Sequence, residues 1–351
     1  MGMTILAIIS LLIFTTSGEF TTDEANLRRR SAGETLCSKL IEPAGYPCTE
    51  HTIQTKDGYL LALQRVSSPN GNIRLQRGPP VLLQHGLFMN FWDWSWQELA
   101  LCDLSAMMHH IYSTTNSKIL VVGHSQGTIM SLAALTQPNI AEMVEAAALL
   151  CPISYLEHIS APLVLRMVGL HLDQMVLAMG IHQLNFRSEV LINLLDSMCD
   201  GHVDCDDLLT SMTGQNCCLN NSRVDNFLEY EPHPSSVKNL RHLFQMIRQG
   251  TFSQYDYGIF KNLKLYGQVK PPAFDLSQIP KSLPLWMGYG GYDALADVAD
   301  VEHTLKELQT KPELLYLENY GHLDFLMSVH GKEDVFDHMI RFFRSLGKSS
   351  A

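Results

Sequence analysis

The sequence has no apolar run that reaches the roughly 20 residues a membrane-spanning helix requires. The apolar run at its N-terminus, from Ile5 to Phe14, is too short, and the small residues Thr, Thr, Ser and Gly follow it. This pattern predicts a signal peptide over residues 1–18, although neither Lys nor Arg precedes the run; the alternative is a buried N-terminal helix. We therefore expect a soluble mature protein that is secreted or delivered to a vacuole or lysosome.

Basic residues are also scarce, because 25 Lys and Arg stand against 36 Asp and Glu, a net charge of -11. This balance argues against nucleic acid as a partner. The cluster Arg28–Arg30 is either a processing site or a solvated run of charge. No internal repeat or low-complexity segment is present, and 351 residues suffice for one large α/β domain with an inserted subdomain. The oligomeric state stays open.

The eight cysteines lack the paired short spacing of a zinc site. Four of them, Cys199, Cys205, Cys217 and Cys218, lie within twenty residues of each other. Together with an export signal, this clustering predicts at least one disulfide among the four. The sequon Asn220-Asn221-Ser222 lies in the same region and predicts glycosylation of Asn220 on an exposed loop. Neither a metal ion nor a cofactor is expected.

Short apolar strands alternate with helices along most of the chain. We predict strands at 51–55, 60–66, 79–83, 118–122, 145–150, 283–288 and 313–317, and helices at 94–111, 128–136 and 334–346. Asp57-Gly58 between the first two strands predicts a hairpin. The alternation favours an α/β fold with a mostly parallel sheet that is covered on both faces.

Residues 154–279 interrupt this alternation with a Leu- and Met-rich helical stretch. We interpret it as a helical cap whose inner face binds acyl chains, with a plain helical core as the alternative. The predicted organisation is a signal peptide at 1–18, the N-terminal part of the core domain at 19–153, the cap at 154–279 and the C-terminal part of the core at 280–351.

The strongest single motif is Gly123-His124-Ser125-Gln126-Gly127, which has the G-x-S-x-G pattern of a nucleophile elbow. A predicted strand precedes it directly and a predicted helix follows it, as this turn between strand and helix requires. The flanking glycines relieve side-chain clashes in so tight a turn. The motif therefore predicts Ser125 as a nucleophile exposed above the sheet.

A serine nucleophile needs a general base, and the base needs an acid that orients it. In an elbow-type hydrolase the acid and then the base follow the serine along the chain. Asp293 follows the strand at 283–288 and His322 follows the strand at 313–317, so we assign them these roles. The alternatives Asp297, Asp300, His303, His330 and His338 lie in or beside predicted helices.

Acyl transfer also needs backbone N–H groups that bind the developing oxyanion. One donor is expected from Gln126, the residue after the nucleophile. The other is expected from Leu87, in the loop His85-Gly86-Leu87 that follows the strand at 79–83. His85 is interpreted as shaping this loop, and His124 as packing beside the elbow.

Several motifs together resemble the acid lipase family, which includes gastric and lysosomal acid lipases and their plant relatives. The motifs are Gly45-Tyr46-Pro47, Lys56-Asp57-Gly58-Tyr59-Leu60, Gln84-His85-Gly86-Leu87, Phe91-Trp92-Asp93-Trp94-Ser95-Trp96, Gly123-His124-Ser125-Gln126-Gly127, Tyr255-Asp256-Tyr257-Gly258, Gly290-Gly291-Tyr292-Asp293 and Gly321-His322-Leu323-Asp324-Phe325. The resemblance runs from about Glu42 to Phe343 and is closest to plant members. It implies an α/β-hydrolase fold and the same five site residues: Ser125, Asp293, His322, Leu87 and Gln126.

The resemblance further implies cofactor-free hydrolysis of triacylglycerols or steryl esters at a lipid–water interface. One departure stands out: only Phe88, Met89 and Asn90 separate the His-Gly-Leu motif from the Trp-rich motif, where the family has a longer segment. The missing part would hold one core strand and one helix. Two alternatives to a lipase or esterase therefore stay open: a catalytically impaired family member, and a non-enzymatic lipid-binding protein.

Overall fold

We describe residues 35–68, 78–86, 94–185, 208–219 and 234–346 of a computed structural model. The predicted signal peptide lies outside these residues. The chain divides into two compact units, Met1–Gly78 and Pro79–Ala351. Among the described helices, none combines the length and the apolar character that crossing a bilayer requires.

The first unit contains the predicted hairpin. Its strands β1 (Cys48–Gln54) and β2 (Leu60–Val66) pair antiparallel in a sheet of their own. Gly58 in the connecting turn has a φ of +94°, a conformation that glycine adopts without steric cost. A disulfide joins Cys37, in the π-helical turn Cys37–Ile41, to Cys48 at the start of β1. The disulfide therefore fixes the turn to the hairpin.

The second unit contains a five-stranded sheet and a short two-stranded ribbon. Its strands are β3 (Val81–Gln84), β4 (Ile119–His124), β5 (Val144–Leu150), β6 (Gln183–Leu184), β7 (Ser235–Ser236), β8 (Leu285–Gly290) and β9 (Glu313–Leu317). The sheet has the order β3–β4–β5–β8–β9 with every pair parallel, and β6 pairs antiparallel with β7. The prediction of a parallel sheet is confirmed.

The helices of the second unit lie between the strands of the sheet and within the region between β5 and β8. They are α1 (Trp96–Glu98), α2 (Ser105–Thr115), α3 (Gln126–Leu135), α4 (Pro138–Ala141), α5 (Pro162–Gly169), α6 (Leu172–Ala178), α7 (Leu208–Thr213), α8 (Val237–Gln249), α9 (Ile259–Tyr266), α10 (Val298–Glu307), α11 (Asp324–Met327) and α12 (Asp337–Leu346). π-Helical segments Leu99–Leu104 and Lys332–Phe336 precede α2 and α12, and a 3₁₀ turn spans Leu276–Gln278.

The core lies around the middle of the parallel sheet. Every residue of β4 is buried, as are all but one of β5, so both faces of these strands are covered. All ten residues of α3 are buried as well. The core therefore surrounds the strand and the helix that flank Ser125.

The predicted helix over 94–111 is interrupted in the structure. A helical turn begins at Trp96, a π-helical segment follows at Leu99–Leu104, and regular α-helix runs only from Ser105 to Thr115. The Glu98 carboxylate accepts a hydrogen bond from the Ser95 backbone N–H at 2.7 Å, which fixes the start of the helix. The apolar periodicity therefore predicted the helical segment but not its irregular first part.

The edge strand β3 is covered on one face only. Leu82 and Gln84 are buried, whereas Val81 is 51% and Leu83 is 72% exposed. Side chains alternate between the two faces of a strand, so both exposed residues lie on the same face. In a parallel sheet that face is normally covered by helices. The part of the chain described here leaves this apolar face open to solvent.

The residues between β5 and β8 build a small helical cluster of their own. Leu163, Met167 and Val168 from α5 pack with Phe244 from α8 in a buried apolar group. Leu165, Leu170 and Met175, which contribute to the Leu and Met density of this region, are exposed. The Leu and Met residues of this region therefore divide between a local core and the surface.

Candidate active site

Ser125 occupies a strained turn between β4 and α3. Its φ of 55° and ψ of −124° lie in a region that residues with a side chain rarely adopt. Ser125 N–H donates to the Leu150 carbonyl at 3.1 Å, which ties the turn to the end of β5. The side chain of Ser125 is partly exposed between buried neighbours. This is the geometry expected of a nucleophile elbow.

The two motif glycines are required by close backbone contacts. A Cβ atom at Gly127 would lie 2.5 Å from the Gln84 carbonyl oxygen, at the end of β3. A Cβ atom at Gly123 would lie 2.8 Å from the Gly127 carbonyl oxygen. Both distances are too short for real carbon atoms, and the contacted atoms belong to backbone that cannot simply rotate away. The sequence motif is therefore explained by packing as well as by turn geometry.

Asp293 and His322 form a buried pair beyond the ends of β8 and β9. His322 Nδ1 lies 2.9 Å from Asp293 Oδ2 and 3.0 Å from Oδ1. Asp293 Oδ1 also accepts the backbone N–H groups of Leu295 at 2.9 Å and Ala296 at 2.8 Å. These two backbone bonds fix the carboxylate, and the carboxylate fixes the imidazole.

The surroundings of Asp293 favour its ionised form. Burial alone raises the pKa of this carboxyl, but the neighbouring His322 and the two backbone N–H donors outweigh burial and lower it below 3.8. A carboxylate that stays ionised can hold the Nδ1–H tautomer of a base and stabilise its protonated form. The pair has the electrostatics of an orienting acid and a general base.

His322 is also connected to the elbow through its backbone. His124 Nε2 lies 3.2 Å from the His322 carbonyl oxygen, and the Cys151 thiol donates to the same oxygen at 3.4 Å. The imidazole rings of His124 and His322 have centroids 4.9 Å apart. In the described residues no hydrogen bond joins Ser125 Oγ to His322, although such bonds often tighten only when substrate is bound.

His124, Cys151 and His322 form the one group in the described part of the chain whose side chains could together coordinate a metal ion. The imidazole and thiol atoms of His124, Cys151 and His322 lie within 4.8 Å of one another. Burial lowers the pKa of His124 to about 3 and raises the pKa of the Cys151 thiol, so both side chains stay neutral. Because both donate to the His322 carbonyl, they act here as hydrogen-bond donors, not as ligands.

Gln126 stands at the first position of α3. The first N–H groups of a helix have no partner within the helix, so the Gln126 N–H is available to an oxyanion. Its side chain is held by the region between β5 and β8: Asn239 Nδ2, on α8, donates to Gln126 Oε1 at 2.7 Å. The other expected donor, Leu87, lies outside the described residues. Gly86, just before it, would place a Cβ atom 3.2 Å from Ser125 Cβ, so this loop passes close to the nucleophile.

A segment of the inserted region is docked on the loop that carries His322. The Asp324 carboxylate, fully buried, accepts the backbone N–H groups of Cys217 at 2.9 Å, Cys218 at 3.0 Å and Gly321 at 2.9 Å. Asn216 Oδ1 accepts the Leu323 N–H at 3.0 Å. The loop that carries His322 is thus positioned by residues more than a hundred positions away.

Two of the four clustered cysteines, Cys217 and Cys218, are joined by a disulfide, in line with the expectation that at least one pair forms. Cys199 and Cys205 lie outside the described residues, and so does Asn220, the predicted glycosylation site. The disulfide adjoins the contacts to Asp324, so it belongs to the segment that holds the loop carrying His322.

The alternative acids and bases have other partners or lie away from the pair. Asp297 caps α10, where its carboxylate accepts the Ala299 N–H at 2.8 Å. Asp300 contacts His158 at 2.8 Å. His303 stacks on Tyr155 with ring centroids 3.9 Å apart.

Sequence reasoning missed Asp324, Asn239 and Cys151. Asp324 stands within the Gly321–Phe325 motif and could have been singled out there. Asn239 and Cys151 belong to none of the motifs, and only the structure shows what they contact.

The chain is similar to known lipases. Residues 37–98 match a family model described as a partial alpha/beta-hydrolase lipase region. Triacylglycerol lipase 1 of Arabidopsis thaliana is 59% identical, over 93% of this chain and 95% of its own length. Triacylglycerol lipase 2 of the same plant is 33% identical over 90% of this chain and 89% of its own length. The gastric triacylglycerol lipase of Rattus norvegicus is 27% identical over 86% of this chain and 90% of its own length.

The chain belongs to the acid lipase family. It has the α/β-hydrolase fold and is a lipid ester hydrolase. The family comparison also reveals a difference in length within the aligned region. The alignment with Triacylglycerol lipase 1 has 375 positions, which exceeds the 351 residues of this acid lipase homologue. The relative therefore contains residues where this chain has none.

Proposed function

We propose that this chain hydrolyses carboxylic esters of neutral lipids, triacylglycerols or steryl esters, through an acyl-enzyme on Ser125. The observation that carries the proposal is the strained elbow at Ser125, together with the buried Asp293–His322 pair at the same edge of the sheet. A serine in this conformation costs free energy that an ordinary turn would not require. The names of the relatives support a triacylglycerol substrate.

In the proposed mechanism, His322 removes the proton of Ser125 Oγ as the oxygen attacks the ester carbonyl carbon. The tetrahedral oxyanion is bound by the backbone N–H groups of Gln126 and Leu87. His322 then protonates the departing alcohol, which leaves an acyl group on Ser125. Water, deprotonated by His322, releases the fatty acid, while Asp293 stabilises the imidazolium throughout.

The disulfide Cys37–Cys48 supports the further proposal that the protein is exported, secreted or delivered to a vacuole or lysosome. Residues 154–279 are proposed to act as a cap over the site, because Asn239 on α8 contacts the Gln126 side chain beside the nucleophile. Glycosylation of Asn220 stays a prediction.

The exposed apolar face of β3 favours a second candidate, a family member whose catalysis is impaired. The loop that carries Leu87 follows β3 directly, so a poorly supported β3 endangers one oxyanion donor. Loss of one such donor costs about 100- to 1,000-fold in rate. The two candidates thus differ in rate and not in the position of the nucleophile.

The test compares Ser125→Ala with the unmodified chain on a fluorogenic short-chain ester. We expect Ser125→Ala to abolish hydrolysis without changing the melting temperature, since alanine fits the elbow. A fluorophosphonate should label the unmodified chain on the peptide containing Ser125, as read by mass spectrometry, and should leave Ser125→Ala unlabelled. Near-normal activity in Ser125→Ala would refute the mechanism. If the fluorophosphonate labels Ser125 but the chain turns over the ester very slowly, the result favours a family member whose catalysis is impaired. A comparison of the hydrolysis rates of triolein and a steryl ester would define the substrate.

A further inference from the structure

Helix α9 exposes more large apolar surface than its length would suggest. Phe260 is 89% exposed, Ile259 is 57% and Leu263 is 46%. Single exposed apolar residues are common on protein surfaces, but three within little more than one helical turn form a patch. We call Ile259, Phe260 and Leu263 the α9 patch.

Hydrogen bonds hold the helix that carries the α9 patch in place. Asn262, the buried residue of this helix, accepts the Tyr257 N–H at 2.9 Å and donates to the Val269 carbonyl at 2.8 Å. Asn262 Nδ2 also contacts Asp256 Oδ1 at 2.7 Å. These bonds hold one face of α9 against the protein, so the side chains of the patch cannot turn inward.

The charged residues of the segment that carries the α9 patch are all basic. Residues 259–270 contain Lys261, Lys264 and Lys270 and no Asp or Glu, in a chain with a net charge of -11. Lys261 Nζ lies 4.4 Å from the centroid of the Tyr257 ring, so this cation is held beside the patch. Lysines that flank exposed Phe, Ile and Leu residues are the pattern of helices that lie in a lipid interface.

We propose that the α9 patch docks this enzyme on an anionic lipid surface. The inference rests on the proposed function, because an enzyme that cleaves insoluble esters must reach its substrate at a lipid–water interface. The three apolar side chains would enter the boundary between headgroups and acyl chains, and the lysines would face anionic headgroups. An acidic protein partner would account for the lysines but not for the large exposed apolar side chain of Phe260.

The experiment measures lipid binding separately from catalysis. Full-length Ser125→Ala is mixed with vesicles of phosphatidylcholine alone or of phosphatidylcholine with phosphatidylglycerol, and the bound fraction is measured by flotation. We expect binding to the anionic vesicles to weaken about 10-fold or more in Ile259→Ser/Phe260→Ser, because the burial of a large apolar side chain contributes about this much. Lys261→Gln/Lys264→Gln should weaken binding to anionic vesicles and leave the weaker binding to neutral ones unchanged.

The matched control is Ile340→Ser, which removes an aliphatic side chain, 40% exposed, from helix α12. It should bind like the parent. Melting temperatures establish that each variant is folded. In chains that retain Ser125, hydrolysis of emulsified triolein should fall more in Ile259→Ser/Phe260→Ser than hydrolysis of a soluble ester. Equal vesicle binding by this variant, Ile340→Ser and the parent would overturn the docking proposal, whereas activity in Ser125→Ala would overturn only the catalytic one.

Discussion

The geometry around Ser125 depends on neighbouring residues that have no Cβ atom. The elbow places Gly127 so close to the end of β3 that even a methyl group would displace backbone. A Cβ atom at Gly86 would lie 3.2 Å from Ser125 Cβ, a tight contact that a small shift would relieve. The position of Ser125 relative to the end of β3 therefore depends most on Gly127, where only glycine fits.

We expect Gly127→Ala to lower both stability and esterase activity. Its Cβ would meet the carbonyl oxygens of Gln84 and His85 at 2.5 and 2.7 Å, and relieving such overpacking costs about 1–3 kcal/mol. The control is Gly169→Ala, at the last position of α5, where a Cβ meets nothing within 4 Å. That change should be neutral or slightly stabilising. Urea unfolding and the rate on a soluble ester give both values, and equal stability of the two variants would contradict the packing argument.

Individual residues were predictable from sequence to the extent that their position along the chain defines their role. Asp293 and His322 were assigned because each follows a late strand, and the structure places them 2.9 Å apart. Asp324 and Asn239 were not, because their partners lie 107 and 113 positions away and no local pattern reports such contacts.

At the scale of elements, the described strands follow the hydrophobic pattern closely. β9 begins and ends as predicted, and β4 is shifted by one residue at its start. The helix after the elbow begins at Gln126, two residues earlier than predicted, because the strained turn at Ser125 leads directly into it. The insertion was less predictable, since its Leu and Met residues serve both a local core and the surface, and composition does not separate the two.

The element-scale contact with the clearest expected effect is the docking of residues 214–219 on the His322 loop. Asp324→Asn replaces one of the two acceptor oxygens by an NH₂ group, which cannot accept a hydrogen bond. Either the Cys218 N–H or the N–H groups of Cys217 and Gly321 then lose their acceptor. When a charged acceptor is removed and buried N–H groups are left without a partner, the free energy of unfolding falls by about 3 kcal/mol or more. We expect a lower melting temperature and a lower kcat with a smaller change in KM, because the His322 loop loses its support.

The matched control for this prediction is Asp337→Asn, an exposed carboxylate paired with Lys332 at 2.8 Å. Surface ion pairs contribute little, so the melting temperature and kcat should not change. If Asp324→Asn behaved like Asp337→Asn, the segment would not position the base, and the loop would owe its conformation to other contacts.

At the scale of the whole molecule, the sheet ends at β3, and the face bearing Val81 and Leu83 is open. The sequence predicted that a strand and a helix are missing after the His-Gly-Leu motif, with the result that either the hairpin pairs with β3 or sheet edges stay open. Within the described part of the second unit, β3 is hydrogen-bonded to β4 only, so its other edge has no partner strand from that unit. An exposed apolar edge of this kind favours aggregation.

Restoring a segment of family length between Leu87 and Phe91 should therefore stabilise the chain and raise its esterase rate. A strand paired with β3 would satisfy the open edge, and a helix over Val81 and Leu83 would remove apolar surface from water, at about 25 cal/mol per Å². The control is a Gly- and Ser-rich insert of equal length, which forms neither element and should leave the melting temperature unchanged or lower. If both inserts gave the melting temperature and rate of the parent, β3 would need no further cover. If only the family segment raised both values, the exposed face of β3 would be the cause of the weakness.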